Sequence, residues 1–449
     1  MPQHSAPHLP QPPGPDRRSV AATVVGNFVE SFDWLGYGLF APIFAVKFFP
    51  SANPVTALLG VFAVLGIGVL ARPLGGVLLG RFADRRGRRR ALMLSIALMT
   101  GGSVLIGVAP TYQQAGLAAP VVLLLARIAQ GVSHGGEWPS AVAYLMELAP
   151  RERRCFHGSL FALSTVAGAF TASLLGGALT AALGTGALAD WGWRVPFLVG
   201  GVFGLVLLLL RNRLSETDVF RREVLTRPSR GSLRVLARSH WRRVLRSVLF
   251  VAGVGAVGNT WTAVIPATGQ RLAAPGTMFW VVVCVTGVMM LAAVPLGLLA
   301  DRIGAVRLLV VASCGFAVAG SWTYLTLSGE VFSLLVTYGS GVVYLMCVTT
   351  VLPKILSESF PPEVRALGIG LPYALTTAVL GAAGPASATW LAERGASGWF
   401  AGGMAVAVLL ALPAAAGARG DRPPADHPGI RAAGPGDGAA VVTAAGSTA

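Results

Sequence analysis

The sequence predicts an all-α membrane protein whose twelve transmembrane helices form two bundles of six. Composition is the first reason, because the 449 residues are 54% hydrophobic and only 12% charged, whereas a soluble domain carries about 25% charge. The second reason is a series of twelve apolar runs, each long enough to cross a bilayer as a helix. The third is an internal repeat, which indicates two equivalent halves.

The twelve apolar runs follow one another along nearly the whole chain. They cover approximately residues 20–44, 56–80, 91–110, 119–148, 157–183, 193–210, 244–267, 276–299, 308–327, 331–356, 367–391 and 398–417. The predicted domains are therefore a disordered N-terminus at 1–19, a first bundle at 20–210, a polar central loop at 211–243, a second bundle at 244–417 and a disordered tail at 418–449.

The repeat is a loop motif with the pattern Gly-x-x-Ala-Asp-Arg-x-Gly. Its first copy begins at Gly80 and contains Asp84, and its second begins at Gly297 and contains Asp301. Each copy follows the second apolar run of its half. Duplicated membrane halves are the usual construction of secondary transporters.

Arginine is concentrated on one side of the predicted membrane. The loop after the second run has six Arg between positions 81 and 90, and the segment from 211 to 246 has eleven. Because cytoplasmic loops carry the excess of basic residues, we expect a multi-pass plasma-membrane protein with both termini in the cytoplasm. The formal net charge of +16 then reflects membrane topology, and we expect the bilayer and no nucleic acid as a partner.

Motifs of enzymes and metal sites are absent from the sequence. The four cysteines show neither a CxxC pair nor another metal-binding spacing. No HExxH, GxSxG or P-loop pattern occurs. We therefore predict no catalytic residue, no metal and no cofactor, and we expect that the chain is not an enzyme.

Ionisable residues inside apolar runs are concentrated in the first half. Glu30 and Asp33 lie in the first run at a spacing that predicts one shared helical face, and His134 and Glu137 lie in the fourth. A charged side chain at mid-bilayer costs about 2.5–3.5 kcal/mol, so it normally faces a cavity or a partner. We predict that these four residues carry protons. A structural ion pair, or a packed histidine, is the alternative.

Arginine within an apolar run can bind a carboxylate, because its guanidinium offers a planar fork of donors. Arg127 and Arg72 are therefore predicted to bind an anionic substrate, with a structural ion pair as the alternative for Arg127 and snorkelling to the interface for Arg72. The further candidate substrate-binding residues are Tyr37, Gln130, Asn259, Trp261, Tyr344 and Tyr373.

Several segments resemble the metabolite:proton symporter family of the major facilitator superfamily. They are GNFVESFDW at 26–34, RPLGG at 72–76, RIAQG at 127–131 and WRVPF at 193–197. The resemblance implies the major facilitator fold and a gating role for the repeated loop. The residues expected in that role are Gly80, Asp84, Arg85, Gly87, Arg88, Asp301 and Arg302.

The expected function is proton-coupled symport of a small polar metabolite by alternating access. The two buried arginines favour an organic acid, and a monomer would suffice. Uptake of a zwitterion such as proline or betaine is one alternative. Proton-driven export of a drug or metabolite is another, although the run from Gly168 to Gly177 lacks the proline that proton antiporters of the superfamily carry there.

Overall fold

The computed structural model describes residues 17–417 apart from 52, 87, 213–235, 237 and 361–364, and these residues are helical with short connections. The predicted terminal segments and most of the predicted central loop lie outside the described residues. The first-half helices are α1 (Arg17–Phe48), α2 (Pro54–Leu70), α3 (Arg72–Arg86), α4 (Arg88–Val108), α5 (Tyr112–Ala115), α6 (Ala118–Leu148), α7 (Arg154–Asp190) and α8 (Val195–Asn212). The second-half helices are α9 (Trp241–Asn259), α10 (Ile265–Leu272), α11 (Thr277–Ile303), α12 (Ala305–Leu325), α13 (Val331–Ser359), α14 (Arg365–Glu393) and α15 (Ser397–Gly417).

Two of the predicted runs are helices with an interruption. The second run is divided at Ala71 into α2 and α3, because Pro73 has no N–H to donate to the carbonyl of Val69. The seventh run continues from α9 into α10 through one π-helical turn at Thr260–Val264. A π turn inserts an extra residue into the helix and changes the face that the following side chains occupy.

Eight helical stretches in the described residues are long and apolar enough to cross a bilayer, and two shorter apolar helices lie at Met93–Val108 and Ser397–Pro413. α1 and α6 have 32 and 31 residues but are less apolar. These two helices carry the ionisable residues singled out above. The composition that lowers their hydropathy is therefore the composition expected of helices that line a site.

The helices of each half pack on one another and on a few helices of the other half. α1 packs against α2, α7 and α8, and α6 packs against α2, α3 and α4. In the second half, α9 packs against α14 and α15, and α12 packs against α13 and α15. The halves meet where α7 contacts α11 and α13, and where α14 contacts α2, α3 and α6.

Glycines bring α3 and α6 into backbone contact. A Cβ atom on Gly135 would overlap the carbonyl oxygen of Arg72, and one on Gly75 would overlap that of Val132. Small residues permit such close approach between membrane helices. The consequence is that Arg72 on α3 lies beside His134 on α6.

Candidate functional site

A cavity of about 200 Å³ lies between the two halves. Residues of α1, α3, α6 and α7 line it from the first half, and residues of α9, α11, α13 and α14 line it from the second. Its polar lining is Asn27, Glu30, Ser31, Arg72, His134, Thr165, Asn259, Thr262, Thr286, Tyr338, Thr349 and Tyr373. Apolar residues and the indoles of Trp34 and Trp138 form the rest of the wall.

One face of α1 supplies five lining residues, of which Leu35 is the only aliphatic one. The other four begin with Asn27. Glu30, Ser31 and Trp34 lie three, four and seven residues after it, which is the spacing of residues on one helical face, and all four line the cavity. The side chain of Asn27 is fixed by Nδ2, which donates to Ser164 Oγ at 2.8 Å and to Thr165 Oγ1 at 2.9 Å. α1 is therefore held against α7 at the point where its polar residues meet the cavity.

Glu30 and His134 form an ion pair across the cavity wall. His134 Nδ1 contacts Glu30 Oε1, and both side chains are largely buried. The contact is an ion pair when the imidazole is protonated. The pair places one carboxylate and one titratable base in the lining.

Asp33 lies outside the cavity lining, in a polar cluster between α1, α4 and α6. Its Oδ1 accepts a hydrogen bond from Ser103 Oγ, and its Oδ2 accepts one from Gln130 Nε2 at 2.5 Å. Gln130 Nε2 also donates to Ser103 Oγ at 3.0 Å. Glu30 and Asp33 thus lie close together on one face of α1, as their spacing predicts, but of the two only Glu30 lines the cavity.

Two arginines contact the same indole. The Cζ of Arg72 lies 4.3 Å from the ring centroid of Trp34, and that of Arg127 lies 5.3 Å from it. Arg127 Cζ also lies 3.5 Å from the ring centroid of Tyr37, whose hydroxyl donates to the Val61 carbonyl at 3.1 Å. Arg72 lines the cavity, whereas Arg127, Tyr37 and Gln130 lie behind its wall. A cation over an aromatic face gains about 0.5–2 kcal/mol.

Glu137 and the second-half candidates occupy different surroundings. Ser95 Oγ donates to Glu137 Oε2 at 3.4 Å, which joins α4 to α6 outside the cavity lining. Asn259 and Tyr373 line the cavity, as a substrate-binding role requires. The ring of Tyr373 stacks on Trp138 with centroids 3.6 Å apart.

Trp261 and Tyr344 belong to a packed core and do not line the cavity. Both rings pack on Phe316, and Trp261 Nε1 donates to the Thr337 carbonyl at 2.8 Å. On α13, Tyr338 lines the cavity instead, together with Val342 one turn later. Asn27, Trp34, Trp138 and Tyr338 are among the lining residues that the sequence prediction missed. The helical spacing from Glu30 could have found the first two.

The repeated loops differ in what the structure describes. The side chains of Asp84, Arg85 and Arg88, together with Gly80 and Gly87, lie outside the described residues. Asp301 contacts the beginning of α7: its Oδ1 and Oδ2 accept from the backbone N–H groups of Cys155 and Phe156, each at 2.9 Å. Arg302 is exposed.

The two halves are joined at both ends of the cavity. Beside the Asp301 contact, Arg154 Nη1 on α7 lies 3.0 Å from Glu358 Oε1 on α13. At the other end, Gln270 Nε2 on α10 donates to the Leu39 carbonyl on α1 at 2.6 Å. Polar contacts between the halves therefore occur on both sides of the cavity.

The chain belongs to the major facilitator superfamily, whose family model, described as Major Facilitator Superfamily, matches residues 23–351. Its similarity to solved structures agrees with this fold: a D-xylose-proton symporter superposes with a TM-score of 0.69 at 18% identity, covering 88% of this chain and 96% of that one.

Curated relatives confirm the resemblance to the metabolite:proton symporter family. The alpha-ketoglutarate permease of Escherichia coli (strain K12) is 34% identical over 86% of this chain and 90% of its own length. The citrate-proton symporter of Klebsiella pneumoniae is 33% identical over 86% and 88%, respectively. A putative proline/betaine transporter of Staphylococcus aureus (strain COL) is 30% identical over 84% and 82%. All three relatives are named as carriers of small polar metabolites, and this chain is a multi-pass membrane transporter of the same superfamily.

Proposed function

We propose that the protein is a proton-coupled symporter that imports a small organic acid across the plasma membrane. All twelve predicted helices cross the bilayer in two bundles, at 20–210 and 244–417, with both termini in the cytoplasm. The observation that carries the proposal is the division of polar groups around α1. α1 presents Glu30 to a cavity that Arg72 also lines, whereas Asp33, three residues on, is enclosed behind the cavity wall among hydrogen-bond donors.

In this proposal the proton and the substrate bind at different sites along one helix. Asp33 accepts the proton, and Arg127 is close enough to Asp33 and Tyr37 to respond to the change of charge. Arg72 and the Glu30–His134 pair contact the substrate. Coupling requires that both ligands favour the same conformation, and a helix shared by their two sites provides that link.

The conformational change is the opening of one end of the cavity while the other stays closed. We assign the end with Asp301 and the Arg154–Glu358 pair to the cytoplasm. A carboxylate at the beginning of α7 is stabilised by the helix dipole and by two backbone N–H groups. Both contacts must break for inward release. The first copy of the loop, around Asp84, would contribute a second contact of this kind.

Uptake into proteoliposomes with an imposed pH gradient tests the proposal. Labelled 4-hydroxybenzoate, 2-oxoglutarate, citrate and proline would be supplied in separate reactions, with protein-free liposomes measuring passive entry. We expect at least one acid to accumulate, and a protonophore to abolish the accumulation. If no member of the panel accumulates and a preloaded one leaves against the gradient, the protein is an exporter and the proposal is wrong.

A further inference from the structure

We propose that the substrate is a monocarboxylate with a flat, largely apolar body, and that the cavity excludes acids with a second carboxylate. This inference rests on the proposed transport function and narrows its substrate. Arg72, Glu30 and the aromatic wall of the cavity each supply one part of the selection.

Arg72 supplies the site for the carboxylate. Its side chain is 6% exposed and lines the cavity. The stacking on Trp34 fixes the plane of the guanidinium, and its Nε has no hydrogen-bond partner in the described part of the chain. A buried cation with an unused donor needs an anionic ligand, and a carboxylate matches the guanidinium fork with two parallel hydrogen bonds.

The cavity has room for one such interaction. Among the described lining residues, Arg72 is the only arginine or lysine. Arg127, the other buried arginine of this region, is separated from the cavity by Trp34 and Tyr37. His134 contributes a positive charge only when protonated, and it already contacts Glu30. A bound monocarboxylate would therefore neutralise Arg72 and leave no further cation for a second carboxylate.

Glu30 makes a second carboxylate unfavourable. It lines the same cavity as Arg72, and its negative charge would act on any anion placed across the cavity from the guanidinium. Like charges repel more strongly at a partly buried site than in bulk water. The contact of Glu30 with His134 also disfavours a zwitterion, because an ammonium group would have to displace the imidazole from the carboxylate.

The remaining wall suits a flat apolar body. Trp138 and Tyr373 stack face to face with an angle of 8° between their planes, and the outer surface of this aromatic pair borders the cavity. A volume of about 200 Å³ exceeds the roughly 150 Å³ of an apolar protein cavity that binds benzene, so a single ring fits. A planar ring can pack on this surface while its carboxylate meets Arg72.

Equilibrium binding to the full chain in lipid nanodiscs tests the inference with matched acids. Isothermal titration would compare benzoate with phthalate, and cyclohexanecarboxylate with cyclohexane-1,2-dicarboxylate, and would also include citrate, 2-oxoglutarate and proline. We expect each monocarboxylate to bind at least about tenfold more tightly than its dicarboxylate partner, a difference of about 1.4 kcal/mol. Equal or tighter binding of the dicarboxylates, citrate or proline, or no binding of any ring acid, overturns the inference.

Three variants show whether the named residues cause the selection. Arg72→Gln should weaken benzoate binding by at least about tenfold, and Arg72→Lys should recover part of it. Glu30→Gln should reduce the preference for benzoate over phthalate. Thr171→Ser is the matched control, because Thr171 lies outside the cavity lining and donates its hydroxyl to the Ala167 carbonyl. An unchanged preference in Glu30→Gln, in protein with an unaltered melting temperature, contradicts the role of Glu30.

The proposed ligand class and the proposed symport can be refuted independently of each other. Selective binding without accumulation in a pH gradient would refute symport and leave the ligand class standing. Accumulation of citrate, 2-oxoglutarate or proline in preference to ring monocarboxylates would refute the ligand class and leave symport standing.

Discussion

The surroundings of the two carboxyl groups on α1 differ more than the residues themselves do. Glu30 and Asp33 are carboxyl groups three positions apart, yet Glu30 borders the cavity and pairs with His134, whereas Asp33 lies behind the wall and accepts hydrogen bonds from Ser103 and Gln130. The difference arises from what packs around each residue, namely the interface between halves around Glu30 and α4 with α6 around Asp33. Two similar acids can thus serve a substrate and a proton without competing.

Among these predictions, replacing the Asp33 carboxyl group by an amide should have the largest effect on proton-driven accumulation. If one proton accompanies each substrate, one unit of pH gradient sustains about tenfold accumulation, since 1.4 kcal/mol is a factor of ten. In Asp33→Asn the side chain keeps its shape but can no longer bind and release a proton. We therefore expect accumulation of 4-hydroxybenzoate to fall to the level measured without a pH gradient. Exchange of labelled for unlabelled 4-hydroxybenzoate should continue. Undiminished accumulation would exclude Asp33 as the proton carrier.

Three glycine-to-alanine substitutions disturb the packing beside the cavity and beside Asp33 separately. Gly135→Ala places a methyl group against the Arg72 carbonyl, which should cost about 1–3 kcal/mol and weaken ligand binding at the cavity. Gly102→Ala meets the Gln130 side chain at 2.6 Å instead, and we expect a cost of about 0.5–1.5 kcal/mol from the displaced rotamer together with weaker proton coupling. Thermal unfolding measures the loss of stability in each variant, benzoate titration measures ligand binding, and pH-driven accumulation measures proton coupling.

Gly101→Ala is the control for this series. A Cβ atom at Gly101 would have nothing within 4 Å, and alanine is favoured over glycine within a helix by about 0.5–1 kcal/mol. We expect unchanged or slightly raised stability. If Gly135→Ala binds benzoate as well as Gly101→Ala does, the close contact between α3 and α6 does not position Arg72.

The contact of Asp301 with α7 is remote from α1, so a substitution there should leave the roles of Glu30 and Asp33 unchanged. Asp301→Asn removes the charge at the beginning of α7, where a carboxylate contributes about 0.3–1 kcal/mol. We expect the end of the cavity beside Cys155 to open more often, so that maleimide modification of the buried Cys155 thiol becomes up to about fivefold faster. Cys347, buried on α13, is the internal control. Equal acceleration at both cysteines would indicate general destabilisation.

The smallest effect is expected from Glu358→Gln. Its partner Arg154 is partly buried but Glu358 is 40% exposed, and exposed ion pairs contribute about 0.2–1 kcal/mol. Cys155 modification should rise less than in Asp301→Asn. A larger rise would show that the ion pair, and not the Asp301 contact, holds this end closed.

The positions of the helices were predictable, and their rotations were not. Run 119–148 corresponds to α6 at Ala118–Leu148, because hydropathy reports how long a segment stays in the membrane. The break at Ala71 was missed although Pro73 marks it in the sequence. The π turn at Thr260–Val264 was missed because an apolar run carries no signal of an extra residue within a helical turn.

The site was predicted in part for the same reason. Arg72, His134 and Tyr373 line the cavity, but Arg127 and Trp261, which are as conspicuous in the sequence, are enclosed elsewhere. A charged or aromatic residue in an apolar helix indicates a partner inside the protein. Whether that partner is a ligand or another side chain depends on the neighbouring helix, which spacing along one helix does not reveal.

Substrate-evoked proton movement tests the division of roles around α1 most directly. Proteoliposomes containing an internal pH-sensitive dye would receive external 4-hydroxybenzoate, with Asp33→Asn and Glu30→Gln compared at equal protein content and with exchange measured in parallel. The proposed division predicts a proton signal in Glu30→Gln and none in Asp33→Asn, although Asp33→Asn still exchanges substrate. A proton signal that persists in Asp33→Asn and disappears in Glu30→Gln would contradict it.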